Sequence, residues 1–277
     1  MQTRPPLPRA CPERAKRVEG GGYGGVGAKT SWEPVAEWYG AHARGRGTLI
    51  AQVVHPGAIR LLAPKPGQKI LDIACGEGAL SRLLARAGAD VTGVDASPAL
   101  IKQAERQGPA GARYVVADAT RLDRALPFER FDAAVCTLAL QNIEAFADVF
   151  RAAAAALKPG APFVFVLNHP CFRVPRQSGW GWDEGRKLQY RRVDTYLSSY
   201  RVDILAHPGG DRRARTFTYH RPLSAYVQAL AAHGFVVEAM EEWTSNRESK
   251  PGGRSRAENA AREEIPLFLA IRAVVKK

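Results

Sequence analysis

Lys69-Ile-Leu-Asp-Ile-Ala-Cys-Gly-Glu-Gly-Ala-Leu80 decides how this chain is read. Ile70 and Leu71 read as the end of a buried strand, with Asp72 at its carboxyl end. Gly76 and Gly78 let the chain turn tightly into a helix beginning near Ala79. A strand, a glycine turn and a helix N-terminus together form a cradle for a nucleoside-containing ligand. A second run, Ala89-Asp-Val-Thr-Gly-Val-Asp95, reads as the next parallel strand and also closes on an acid. There an acidic side chain accepts hydrogen bonds from ribose hydroxyls. A third, Ala112-Arg-Tyr-Val-Val-Ala-Asp118, ends in another acid, placed to meet an adenine edge.

Successive strands each ending in Asp are more specific than a lone glycine pattern. On these residues the chain resembles the class I S-adenosylmethionine-dependent methyltransferases, and within them the ubiquinone/menaquinone-type, small-molecule branch. The family's first motif is an acid-x-Gly-x-Gly-x-Gly loop. Here Asp72-x-Ala74-x-Gly76-x-Gly78 matches it, with Ala at the first glycine. A dinucleotide fold competes, but its Gly-x-Gly-x-x-Gly fingerprint would need glycine where this chain has Ser81. The resemblance implies S-adenosyl-L-methionine as cofactor. It puts Asp72, Ala74, Cys75, Gly76 and Gly78 beside the methionine moiety, Asp95 and Ala96 at the ribose, Asp118 and Ala119 at adenine, and Thr137 at the strand-four exit.

Further elements alternate: helix 79–88, helix 98–107, strand 131–137, helix 143–157 and strand 162–167. Strands alternating with helices predict an α/β fold with right-handed crossovers. With helix 222–233 and strands 235–241 and 266–274, the resemblance implies a doubly wound, mostly parallel seven-stranded sheet with an antiparallel ending. Helices at 32–42 and 48–62 precede the first strand, and the resemblance makes them covers of the pocket, with Tyr39 a lid residue or a core residue. Residues 1–30, rich in Arg, Pro and Gly without periodicity, are expected to be a disordered tail. The methyltransferase domain is then 31–277.

Between strand five and the last helix, residues 168–220 break the alternation and are expected to be a substrate cap. Two strands, 200–206 and 215–219, join there through Pro208-Gly-Gly-Asp211. This insertion holds Trp180, Trp182 and several tyrosines beside Arg173, Arg176, Arg186, Arg191 and Arg192. The aromatics either stack a planar acceptor or form the insertion's own core, and the arginines suit a carboxylate or phosphate. His169 is the first candidate for a general base, set against a turn-capping role, with His220 and Tyr190 behind it. Cys171 reads as a buried thiol rather than a nucleophile.

The formal net charge of +13 falls mostly in the first thirty residues and around 170–217. It suits nucleic acid, an acidic metabolite or merely a solvated surface. The leading expectation is methyl transfer to a small-molecule acceptor on O, N or C. An RNA methyltransferase and a non-catalytic cofactor-binding protein are the alternatives. Cys11, Cys75, Cys136 and Cys171 lie too far apart to spell a zinc or disulfide framework. With no apolar run of membrane-spanning length and no leader-like N-terminus, a reduced, cytoplasmic protein without a metal is expected.

Overall fold

Ile70, Leu71 and Ile73 are all wholly buried, because their strand has a neighbour on each side and helices over each face. The computed structural model describes residues 32–36, 47–108, 111–127, 130–205 and 215–276. A short 3-10 turn (Glu33–Val35) and a π turn (Ile50–Val54) precede α1 (His55–Leu62). Then come β1 (Lys69–Ile73), α2 (Ala79–Arg86), β2 (Asp90–Asp95), α3 (Pro98–Gln107) and β3 (Ala112–Val116). The alternation continues through α4 (Leu122–Ala125), β4 (Ala133–Thr137), α5 (Phe146–Ala156) and β5 (Pro162–Asn168). Two hairpins follow, β6 (Ser178–Asp183) with β7 (Leu188–Val193), and β8 (Tyr200–Leu205) with β9 (Arg215–His220). The chain closes with α6 (Leu223–Ala232), β10 (Phe235–Trp243), α7 (Ser255–Glu264) and β11 (Phe268–Val275).

The main sheet has seven strands in the order β10-β11-β5-β4-β1-β2-β3. β5, β4, β1, β2 and β3 run parallel, and β11 is antiparallel to both β5 and β10. Alternation along each strand feeds two cores. Leu71 and Ile73 join Phe150, Phe163, Phe165 and Tyr226 under α5 and α6, while Ile70 joins Val54, Ala58 and Leu84 under α1 and α2. Phe150 packs edge-on or tilted against Phe146, Phe163, Phe165 and Phe235, contacts each stabilising by about 0.5–1.5 kcal/mol beyond area burial. Strand order reverses at β1, with β2 on one side and β4 on the other, which opens a crevice at the strands' carboxyl ends.

Two elements differ from the expectation. The polar stretch before β11 contains α7, a helix of Ser, Arg, Glu, Asn and Ala whose one buried residue is Ala261 and which holds no large apolar side chain. The aromatic stretch of the insertion pairs as β6–β7, a hairpin that the expected pair at 200–219 did not include. The expected tail 1–30, Tyr39, most of the first helix and the Pro208–Asp211 connection lie outside the described residues. No helix among the described residues is long and apolar enough to cross a membrane.

Candidate active site

After Ile73 the backbone enters the left-handed region three times, at Ala74 (φ 56°), Gly76 (φ 58°) and Gly78 (φ 79°), before α2 begins. The turn is tied to β2, since the Cys75 N–H donates to Val94 O at 2.9 Å. Glycine is required at 78 twice over: by its φ, and because a Cβ there would sit 2.7 Å from Tyr114 Oη. Ala74 does carry a Cβ in that region, at a cost of about 1–2 kcal/mol.

Asp72 is buried beneath this turn and does not reach the crevice. Its Oδ2 accepts the Ser81 hydroxyl at 2.6 Å, which holds the first turn of α2. Burial pushes its carboxyl up to about 7, against the opposing pull of the Ser81 bond. Asp95 lies at the crevice, where Oδ2 accepts the Gly76 N–H at 3.0 Å and Oδ1 the Ser97 N–H at 2.9 Å. Burial raises its pKa and those backbone bonds oppose the rise. Ser97 in turn caps α3 through Leu100 N–H and donates to the Glu33 carboxylate. Asp118 is exposed at the end of β3, its Oδ1 accepting the Thr120 N–H at 2.9 Å and hydroxyl at 2.8 Å.

The crevice deepens into a cavity of about 540 Å³. Of the residues singled out from sequence for the cofactor, Ala74, Gly76, Asp95, Ala96, Asp118, Ala119 and Thr137 line it. Asp72, Cys75 and Gly78 do not; Cys75 faces a small adjoining recess with Ile50 and His55. Burial drives the His55 imidazole down to about 4, so it is neutral near pH 7. The strand-four exit crosses the middle of the wall with Leu138 (φ 54°), Ala139, Gln141 and Asn142. Gln141 is 7% exposed and donates through Nε2 to Leu138 O at 2.7 Å, while its Oε1 has no hydrogen-bond partner. The far end belongs to the insertion: Asn168, Arg173, Arg176, Ser178, Arg191 and Thr218.

The three candidate catalytic residues are not brought to this cavity. The His169 ring is buried on the opposite side of the chain from Asn168. Its Nε2 meets Glu242 Oε1 at 2.7 Å, and its Nδ1 accepts the Cys171 N–H at 3.2 Å. Both nitrogens are thus occupied, and burial lowers its pKa against the pull of Glu242. His220 donates through Nε2 to Tyr196 O at 2.6 Å and packs beside the Tyr196 and Tyr200 rings. Tyr190 is 42% exposed, over Gly181 on the outer face of the hairpin. Cys171 is half-buried rather than buried. Trp180 and Trp182 carry the Arg191 and Arg254 guanidiniums on their rings and do not line the cavity. Trp32 and Ile50 were missed as lining residues, and Gln141 belongs to the strand-four exit, Thr137 to Asn142, where the resemblance implies that acceptor contacts begin. Only the positions of Trp32 and Ile50 before strand one hinted at the pocket.

Residues 71–165 match the family description of a methyltransferase domain. A ubiquinone biosynthesis O-methyltransferase of Xanthomonas campestris is 36% identical over 107 residues, 37% of this chain and 44% of that protein. A demethylmenaquinone methyltransferase of Tropheryma whipplei is 33% identical over 41% of this chain and 47% of its own length. The chain thus spans about half the length of these curated relatives. An S-adenosylmethionine-dependent methyltransferase structure from Mesorhizobium loti is 30% identical, covers 82% of this chain and 98% of that one, and superposes with a TM-score of 0.64. The chain belongs to the S-adenosylmethionine-dependent methyltransferases. The donor of that family, S-adenosylmethionine, carries ribose hydroxyls and an adenine ring beside its methionine moiety. The cavity's only carboxylates among the described residues, Asp95 and Asp118, stand at the end formed by β2 and β3, with Ala96, Leu100 and Ala117 offering apolar surface beside them. Where Gly78 and Gly93 stand, a Cβ would meet the Tyr114 ring, so the turn lies close against β3. The residues present fit this cofactor.

Proposed function

We propose that this methyltransferase acts on a small-molecule acceptor held between the strand-four exit and the insertion. The observation that carries this reading is the continuity of the cavity, which runs from the glycine turn at one end to Arg173 and Arg191 at the other. Its volume of about 540 Å³ lies within the usual range for small-ligand sites, about 300–1,000 Å³. The quinone-methylating relatives support a small-molecule acceptor as well.

In this reading Asp95 receives the ribose hydroxyls, its carboxylate fixed in advance by the Gly76 and Ser97 N–H groups. Asp118 and Ala119 meet adenine, and the Ala74–Gly76 backbone approaches the methionine moiety. The bound cofactor supplies an electrophilic methyl group for in-line displacement. Everything else falls to the protein. Gln141 Oε1, buried without a partner, accepts a hydrogen bond from the acceptor and orients its nucleophilic atom. Residues 168–220 cap the acceptor and exclude water. Among the described residues no imidazole, phenol or thiol lines the cavity. The described residues of the cavity act by positioning and desolvating the acceptor. The free thiols of Cys75, Cys136 and Cys171 support a reducing, cytoplasmic setting.

The charge of +13 favours one second reading, an RNA acceptor. Transfer of labelled methyl groups into a cell extract, sorted by acceptor size, decides between them. Label in small molecules supports the proposal. Label confined to RNA, with a salt-dependent shift of bulk tRNA, replaces it.

A further inference from the structure

The cavity is electrically polarised. Its carboxylates stand at the cofactor end, and Arg173, Arg176 and Arg191 stand at the insertion end. These guanidiniums are held by neutral oxygens. Arg173 Nη1 donates to Asn168 Oδ1 at 2.6 Å and Arg176 Nη2 to Asp203 O at 2.7 Å. Arg191 donates through Nε to Phe172 O at 2.6 Å and through Nη2 to Ser178 Oγ at 2.9 Å. Among the described residues no carboxylate pairs with any of the three. Arg192, the next residue along β7, faces the other side of the hairpin and is paired, with Asp194 at 2.9 Å.

Arg173 and Arg191 are half-buried and Arg176 is exposed, and a partly buried cation without a counter-charge carries a desolvation cost that an entering anion recovers. Burial and the neighbouring Arg191 charge both hold Arg173 below its ordinary pKa, so these two feel each other directly. Both are pre-positioned by aromatic faces, Arg173 over Phe268 at 5.5 Å and Arg191 over Trp180 at 5.2 Å. Arg176 adds a strained backbone, φ 59°, and shares with Ala74 and Leu138 the distinction of being a non-glycine left-handed residue on this wall. Such outliers cluster where a site imposes them.

We propose that the acceptor carries an oxyanion, a carboxylate or a phosphate, received by Arg173 and Arg191 with Arg176 beside them, its methyl-accepting atom directed toward Gln141 and the glycine turn. This rests on the small-molecule reading above. A planar guanidinium with donors to spare forms short, bidentate bonds to such a group, which fixes orientation as well as affinity.

The test uses the full chain. Calorimetry with S-adenosylhomocysteine comes first, because its failure to bind would overturn the methyltransferase site and this inference with it. Benzoate and inorganic phosphate are then titrated separately into the saturated complex, the two arms distinguishing carboxylate from phosphate. At least one is expected to bind with one-to-one stoichiometry. Arg191→Gln and Arg173→Gln should each weaken it by about tenfold or more, with S-adenosylhomocysteine affinity kept within about threefold. Arg191→Lys and Arg176→Gln carry the test if loss of the half-buried Arg173 unfolds the insertion. Arg192→Gln, on the outer face, should change neither affinity. The inference falls if neither probe binds to a complex that does bind S-adenosylhomocysteine. It falls equally if Arg192→Gln weakens the probe as much as Arg191→Gln, or if bulk tRNA displaces the probe in a salt-dependent way.

Discussion

The Asp95 carboxylate receives the Gly76 N–H at 3.0 Å, so the acid at the end of β2 also holds the glycine turn that follows β1. One residue thereby shapes both walls of the cofactor end. Asp95→Ala should lower S-adenosylhomocysteine affinity by more than about tenfold. It should also destabilise the fold by about 1–3 kcal/mol, since the Gly76 and Ser97 N–H groups lose their acceptor. Calorimetry combined with denaturant unfolding checks both. Near-normal affinity would remove Asp95 from the ribose.

Asp72 gives a pH signature. Its carboxyl titrates near 7 when folded and near 3.8 when unpaired, so between those values the folded protein binds a proton that the unfolded chain releases. Its stabilising contribution is full below about 3.8 and is lost as pH rises through about 7. His55, lowered to about 4, works in the opposite sense, so a difference measurement is needed. Melting temperature should fall more between pH 5 and 8 in the wild type than in Asp72→Asn, which keeps an acceptor for Ser81. Parallel profiles would show that Asp72 is ionised throughout.

For His169→Ala we expect turnover within about threefold of wild type, because the ring stands outside the cavity with Glu242 and the Cys171 N–H on its two nitrogens. Stability should fall by about 1–3 kcal/mol through the unsatisfied partners. Loss of turnover with an unchanged melting temperature would restore a catalytic role.

Ala74 occupies the first glycine position of the motif in a left-handed conformation. Ala74→Gly relieves about 1–2 kcal/mol of strain and adds about 0.4–1 kcal/mol of unfolded-state entropy. A net stabilisation of roughly half to one kcal/mol should appear in urea unfolding. Ala74→Val should destabilise, because a branched side chain fits this region worse still. A destabilised glycine variant would mean that the alanine methyl contributes packing that outweighs the strain.

Much of the framework was legible because its signals are local. Asp72, Gly76 and Gly78 spell a strand end and a left-handed turn within seven residues, and Asp95 and Asp118 repeat the strand-end acid. The alternation of strands and helices through β5 follows from hydrophobic periodicity. α7 escaped because its ten residues include no large apolar side chain, so the segment reads as polar throughout. β6–β7 escaped because neither face of the hairpin is fully buried, which leaves no clean alternation of apolar and polar residues. Strand order is long-range and came from resemblance alone.

The sequence by itself therefore determined the left-handed turn and the strand-end acids that we propose hold the cofactor, because glycine backbone freedom and strand-end carboxylates are properties of neighbouring residues. Only the tertiary structure decided which residues of the insertion line the cavity, and the reason is the two-residue period of a strand. Asn168 lines the cavity while His169, the next residue, turns away to Glu242. Arg191 lines it too, while its neighbours Tyr190 and Arg192 face outward, the latter to Asp194. Which of two adjacent side chains faces the ligand depends on register, here Trp180 opposite Arg191, and a shift of one residue would exchange them. Register is set by partners far away in the chain.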